Sequence, residues 1–190
     1  MAATKQPIIA DRYILQKKLG AGQFGVVYSV KDTRLNRDSA MKILKPEALS
    51  TPSACKRFLG EAALLAQVTH SNVVRLLDFG EHEKKYFIVT DLVEGGTLEH
   101  HLKKDRVMAP RRAVKLVIQL LSALDHVYAN HKLLHRDVKP ANIMIASGDR
   151  LFLMDFGLAV CVDQETQTRT TKDGSMVGTP AYMTPEQARG

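Results

Sequence analysis

The chain has 190 residues, of which 45% are hydrophobic and 25% charged, enough for one well-packed core or two small ones and too apolar for a disordered segment. Its 27 Lys and Arg against 20 Asp and Glu give a formal net charge of +7, which raises nucleic-acid binding as a possibility. The basic residues, however, fall in scattered pairs (Lys17-Lys18, Lys84-Lys85, Lys103-Lys104, Arg111-Arg112) without a basic run or interleaved aromatics, so they are assigned to solvated faces and no nucleic-acid partner is expected.

Two cysteines, Cys55 and Cys161, stand far apart without Cys-x-x-Cys spacing, which argues against a disulfide framework and against structural zinc. Residues 1–10 lack a basic region followed by an apolar one, and no run of about 18 apolar residues occurs, so a cytoplasmic chain without a membrane segment is expected.

Residues 13–43 alternate as strand, glycine turn, strand, turn, strand. The stretch Gly20-Ala21-Gly22-Gln23-Phe24-Gly25-Val26-Val27 joins two of these strands. A dinucleotide fingerprint would need a helix after its third glycine, and the residues after Gly25 are β-branched, so that alternative fails. A glycine-rich lid remains, whose backbone N–H groups can approach phosphates where no Cβ stands in the way. The third strand carries Lys42 between apolar neighbours in Ser39-Ala40-Met41-Lys42-Ile43-Leu44.

Residues 53–68 are predicted helical, with Phe58, Ala62, Leu65 and Ala66 on one apolar face and Glu61 within the stretch. Two further strands, 72–79 and 85–92, complete a five-stranded antiparallel sheet. Val93-Glu94-Gly95-Gly96 is a connector where a lobe boundary falls. Beyond it a short helix (97–103) and a long one (109–131) are predicted, the latter burying Ala113, Leu116, Val117, Leu120, Leu121 and Leu124.

The chemistry concentrates in His135-Arg136-Asp137-Val138-Lys139-Pro140-Ala141-Asn142 and, after a short hairpin (143–145 with 151–154), in Asp155-Phe156-Gly157. Phosphoryl transfer passes through a loose, highly anionic transition state and needs metal ligands, cations and one acceptor for the nucleophile's proton. Asp137 suits the acceptor and Lys139 the cation, while Asn142 and Asp155 offer the hard oxygens that Mg²⁺ prefers. Both motifs, in this order and at this spacing, resemble those of the protein kinase superfamily. Lys139-Pro140 with Asn142 looks like its Ser/Thr branch, and Gly178-Thr179-Pro180-Ala181-Tyr182-Met183-Thr184-Pro185-Glu186 is similar to the substrate-binding segment of bacterial, eukaryotic-like Ser/Thr kinases.

The resemblance implies an α+β, two-lobed, protein-kinase-like fold. Its N-lobe (12–92) would hold the five-stranded antiparallel sheet and one helix, followed by a hinge (91–96) and an incomplete, mainly helical C-lobe (97–190), with residues 1–11 as an extension. It implies ATP and Mg²⁺ as cofactors, Mn²⁺ being an acceptable substitute. Lys42 would then meet the α- and β-phosphates, braced by Glu61. Leu19, Gly20, Ala21, Gly22, Gln23, Phe24 and Gly25 would close above the nucleotide. Val27 and Ala40 from above and Met144 from below would sandwich the adenine, with the backbone of Asp91 and Val93 at its edge and Thr90 as gatekeeper.

Arg136 implies a phosphate on the polar loop 163–176, with Thr170, Thr171 and Ser175 as candidates for self-phosphorylation. The implied partners are protein substrates. The family's domain continues past the Pro-Glu element, so the chain is expected to be the first part of a longer protein, and membrane anchoring downstream of Gly190 is left open. A pseudokinase scaffold and a small-molecule phosphotransferase are the rival readings. Intact Lys42, Asp137, Asn142 and Asp155 oppose the first, and the 178–186 segment opposes the second.

Overall fold

A computed structural model describes residues 7–22, 25–49, 51–156, 180–182 and 185. Gln23, Phe24, Gly157, Cys161, Thr170, Thr171, Ser175 and Glu186 lie outside the described residues.

The N-lobe is built on a six-stranded antiparallel sheet in the order β1-β2-β3-β4-β6-β5. The strands are β1 (Ile8–Ile9), β2 (Tyr13–Ala21), β3 (Gly25–Asp32), β4 (Arg37–Leu44), β5 (Leu76–His82) and β6 (Lys85–Asp91). Five strands were expected; the sixth is β1, which turns back through Ala10 and Asp11 and pairs Ile8 with Ile14 and Ile9 with Tyr13. The β5–β6 hairpin closes on Glu83 and Lys84, both at positive φ, the conformation a two-residue hairpin turn requires.

One glycine of the predicted lid is demanded by packing. A Cβ on Gly25 would run into the carbonyl oxygen of Ile43, whereas at Gly20 and Gly22 it would meet nothing within 4 Å. The strand expected over 72–79 begins only at Leu76, because Val73 pairs in parallel with Leu153 instead.

Helix α1 (Pro52–Leu65) starts at Thr51, whose hydroxyl accepts from Ala54 N at 3.2 Å, with Pro52 pre-set for the first turn. It buries Ala54, Phe58, Ala62 and Leu65; Ala66, expected on that face, caps the helix and is exposed. After the connector, β7 (Gly96–Thr97) leads into α2 (Leu98–Asp105) and α3 (Pro110–His131). The β8 (Ile143–Ala146) and β9 (Arg150–Leu153) hairpin pairs with β7 in a small sheet.

The α3 stripe differs from the expected one. Leu116, Ala123 and Val127 are buried, and Leu120 and Leu124 pack against the core, but Val117 and Leu121 are exposed together with Val114 and Ile118. A 22-residue helix drifts around its axis, and here only the side touching β9 is covered.

Candidate active site

Between the two sheets lies a cavity of about 1020 Å³. Leu19, Gly20, Val27 and Ala40 line it from the N-lobe, Thr90, Asp91 and Val93 from the connector, and Met144 from below. Lys42 and Asp155 also line it. The cavity thus gathers most of the residues expected around a nucleotide, whereas Ala21, Gly22 and Gly25, at the β2–β3 connection, do not line it. The connector approaches β8 so closely that a Cβ on Gly95, which has φ +145°, would collide with the carbonyl oxygen of Ile145.

Lys42 Nζ lies 3.0 Å from Asp155 Oδ1, joining the N-lobe sheet to the loop beyond the β8–β9 hairpin. Asp155 holds a left-handed backbone, φ 59°, which turns its carboxylate toward β4. The expected Lys42–Glu61 brace is not formed: among the described residues no ion pair joins the two. Glu61 instead lines a small hollow of about 90 Å³ with Leu133, Leu134, Arg136 and Phe156. The Asp155 carboxylate is the partner of the lysine in place of Glu61.

On the other side of the cleft, three contacts hold the oxygens of Asp137. Lys139 Nζ is 2.8 Å from its Oδ2, and Asn142 Nδ2 donates to both its Oδ2 and its main-chain oxygen at 2.8 Å. With the Asn142 NH₂ committed to Asp137, the amide oxygen is left on the opposite side of the group. Met154 N donates to Asn142 O at 3.0 Å, so Asn142 and Asp155 come from adjacent backbone.

One carboxylate and one amide oxygen suit Mg²⁺, which keeps several waters and takes phosphate oxygens to complete its shell. Among the described residues no cluster of three His, Cys, Asp or Glu forms a closed metal cage.

His135, which has no chemical task in the sequence motif, organises both loops. Asp137 N donates to its Nδ1 at 3.3 Å, so the ring proton sits on Nε2 and bonds Met154 O at 2.8 Å. The ring packs on Phe156 with centroids 4.6 Å apart. Burial lowers its pKa, which keeps the imidazole neutral, as this double role requires. The available signal was its position immediately before Arg136 and Asp137. Arg136 also adopts a left-handed backbone, φ 61°.

The protein kinase domain family matches residues 13–190. The chain belongs to the protein kinase family. Its relatives include the Mycobacterium leprae serine/threonine-protein kinase PknB, 38% identical over 191 residues, which covers 98% of this chain and 30% of that protein. Bacillus subtilis serine/threonine-protein kinase PrkC is 35% identical over 182 residues, covering 96% of this chain and 28% of that protein. The crystal structure of the Mycobacterium tuberculosis PknI kinase domain is also similar, with a TM-score of 0.73 and 31% identity over 83% of this chain and 64% of that one. This kinase chain therefore spans under a third of the length of these two curated relatives. Among its described residues no helix is long and apolar enough to cross a membrane.

Proposed function

We propose that this chain is the nucleotide-binding and catalytic part of a bacterial-type Ser/Thr protein kinase, transferring the γ-phosphoryl group of ATP to a protein hydroxyl. The observation that carries this reading is the clustering of Asp137, Lys139 and Asn142 within 2.8 Å contacts beside a lysine–aspartate pair that reaches across the cavity. The relatives named serine/threonine-protein kinases support the reaction class.

In this reading adenine lies between Val27, Ala40 and Met144, with backbone groups of Asp91 and Val93 at its edge and Thr90 behind it. Lys42 carries the α- and β-phosphates. Asn142 and Asp155 would hold Mg²⁺, which when bound neutralises phosphate charge. Asp137 accepts or orients the hydroxyl proton, and Lys139, already at the Asp137 carboxylate, steadies the phosphate as it moves. Glu61 acts as a brace only if α1 rotates to bring it to Lys42, displacing Asp155 from the lysine. Thr170, Thr171 and Ser175 are the proposed self-phosphorylation sites, with Arg136 as the cation that holds the modified loop. A cytoplasmic location suits an ATP-dependent enzyme.

The test is transfer of label from γ-labelled Mg·ATP to the chain and to a generic protein substrate, beside Asp137→Asn. Removing the proton acceptor should lower transfer by about 10²–10⁴ while nucleotide binding persists. Binding without transfer in the unaltered chain would instead favour a nucleotide-binding scaffold.

A further inference from the structure

Three of the seven histidines come together on one seam that the active site does not use. His70 lies in the segment joining α1 to β5, and His126 and His131 lie on α3. The His70 and His126 ring centroids are 5.0 Å apart with planes tilted by 35°, and His131 stands 6.1 Å beyond His126.

Hydrogen bonds fix the protonation of the first two. Asn72 N donates to His70 Nδ1 at 3.1 Å, so the ring proton is on Nε2, which faces Ser122 Oγ at 3.2 Å. The Asn130 amide is oriented by donating to His126 O at 2.9 Å, which places its Nδ2, a donor, 3.2 Å from His126 Nδ1. Both Nδ1 atoms therefore face N–H groups, and protonating either would set two donors against each other.

The groups facing the pair are Asn72 from its own segment and Ser122, Asn130 and His131 from α3, none of them acidic. Among the described residues no carboxylate pairs with either ring. A proton added to His70 would find no countercharge there.

The seam also holds the metal loop in place. Asn72 Nδ2 donates to Gln119 Oε1 at 2.9 Å and to Leu151 O at 2.8 Å. Leu153 N donates to Asn72 O at 2.8 Å, and Val74 N to Leu153 O at 2.9 Å. Residues 72–74 thus run as a ladder along β9, and β9 leads directly into Met154 and Asp155.

We propose that the His70–His126 pair is a protonation-sensitive latch: in mildly acidic medium it lets go of α3, loosening the segment that anchors β9 and Asp155. Burial and the charge of His126 both lower the pKa of His70, consistent with a fold that holds the neutral form. The latch contributes stability that is present above the ordinary imidazole pKa of about 6.5 and is lost as pH falls through the lower folded value.

The experiment compares the chain with His70→Asn, which keeps an acceptor for Asn72 N, and with His126→Asn. Thermal unfolding and affinity for Mg·ADP are followed between pH 7.5 and 5.5. The unaltered chain should lose stability more steeply than either variant, by up to about tenfold in the unfolding constant per pH unit for each proton concerned. Its Mg·ADP affinity should fall in parallel, whereas in the variants it should fall less. The buried His135 is common to all three, so only the difference reports the latch. Parallel pH profiles in all three chains would overturn the proposal. Should His70→Asn fail to fold, His126→Asn and an NMR titration of the unaltered chain decide. The proposal then requires the Asn72 amide to shift as His70 takes its proton, and an Asn72 amide that stays fixed would refute it.

Discussion

Lys42 illustrates how a single side chain ties the two halves of this chain together. Its ammonium is about one-fifth exposed and has Asp155 as an ion-pair partner at 3.0 Å. In the proposed reading this ammonium also carries the nucleotide phosphates, and replacing it by Met removes that charge-assisted bond, typically about 1.5–3 kcal/mol, so Mg·ADP affinity should fall by roughly ten- to a hundredfold. Isothermal titration of the variant checks this, and an unchanged affinity would place the phosphates elsewhere. His135 makes a different kind of prediction, because its two ring nitrogens serve two backbone groups in a buried setting. His135→Phe keeps the stacking area on Phe156, and Asp137 N keeps its bond to the main-chain oxygen of residue 135, but Met154 O loses its partner, at about 1–3 kcal/mol. Urea unfolding should show a loss of that order, together with slower transfer, since both loops lose their common anchor.

Among the elements, the outer end of the sheet depends on one ionic network. Arg12 lies just past the β1–β2 turn and makes a two-pronged contact with Asp32 at the end of β3, Nε to Oδ1 at 3.0 Å and Nη2 to Oδ2 at 2.8 Å. It also reaches Asp78 on β5 at 2.9 Å, where the Tyr13 hydroxyl donates to the same oxygen at 2.5 Å. Asp32 is 1% exposed and its pKa is lowered to about 2, chiefly by the Arg12 bond. A carboxylate depressed in this way stabilises the fold above its unfolded pKa of about 4, and that contribution is lost as pH falls toward 2. Of the order of 2 kcal/mol is at stake, so between pH 4.5 and 2.5 the unaltered chain should lose thermal stability faster than Arg12→Met. Equal slopes would show that the pair does not titrate with folding. Nothing in the sequence pointed to this network, because its members are 20 and 66 residues apart and each, taken alone, is an ordinary surface charge.

Across the whole molecule, legibility followed the range of the interactions. The glycine turn, the strand that carries Lys42 and the Asp137–Asn142 loop depend on near neighbours and on spacing, and they could be read directly. Glu61 could not be placed, because whether α1 presents it to Lys42 depends on how the helix sits against Leu133, Leu134 and Phe156, a matter of tertiary packing. The α3 stripe failed for a related reason: periodicity marks which residues are apolar, and only the neighbouring elements decide which of them are covered. Val114, Val117, Ile118 and Leu121 recur at helical spacing and are 50–62% exposed, so they form a continuous apolar strip on one side of α3. Contiguous apolar surface of this kind drives association in water. The 190-residue chain should therefore sediment with a weight-average mass that rises with concentration. Ile118→Lys with Leu121→Gln should suppress that rise while leaving Mg·ADP binding intact, because neither residue lines the cavity and helix propensity is little changed. A chain that stays monomeric at every concentration, with and without the two substitutions, would show that this strip is not sticky enough to bring copies together.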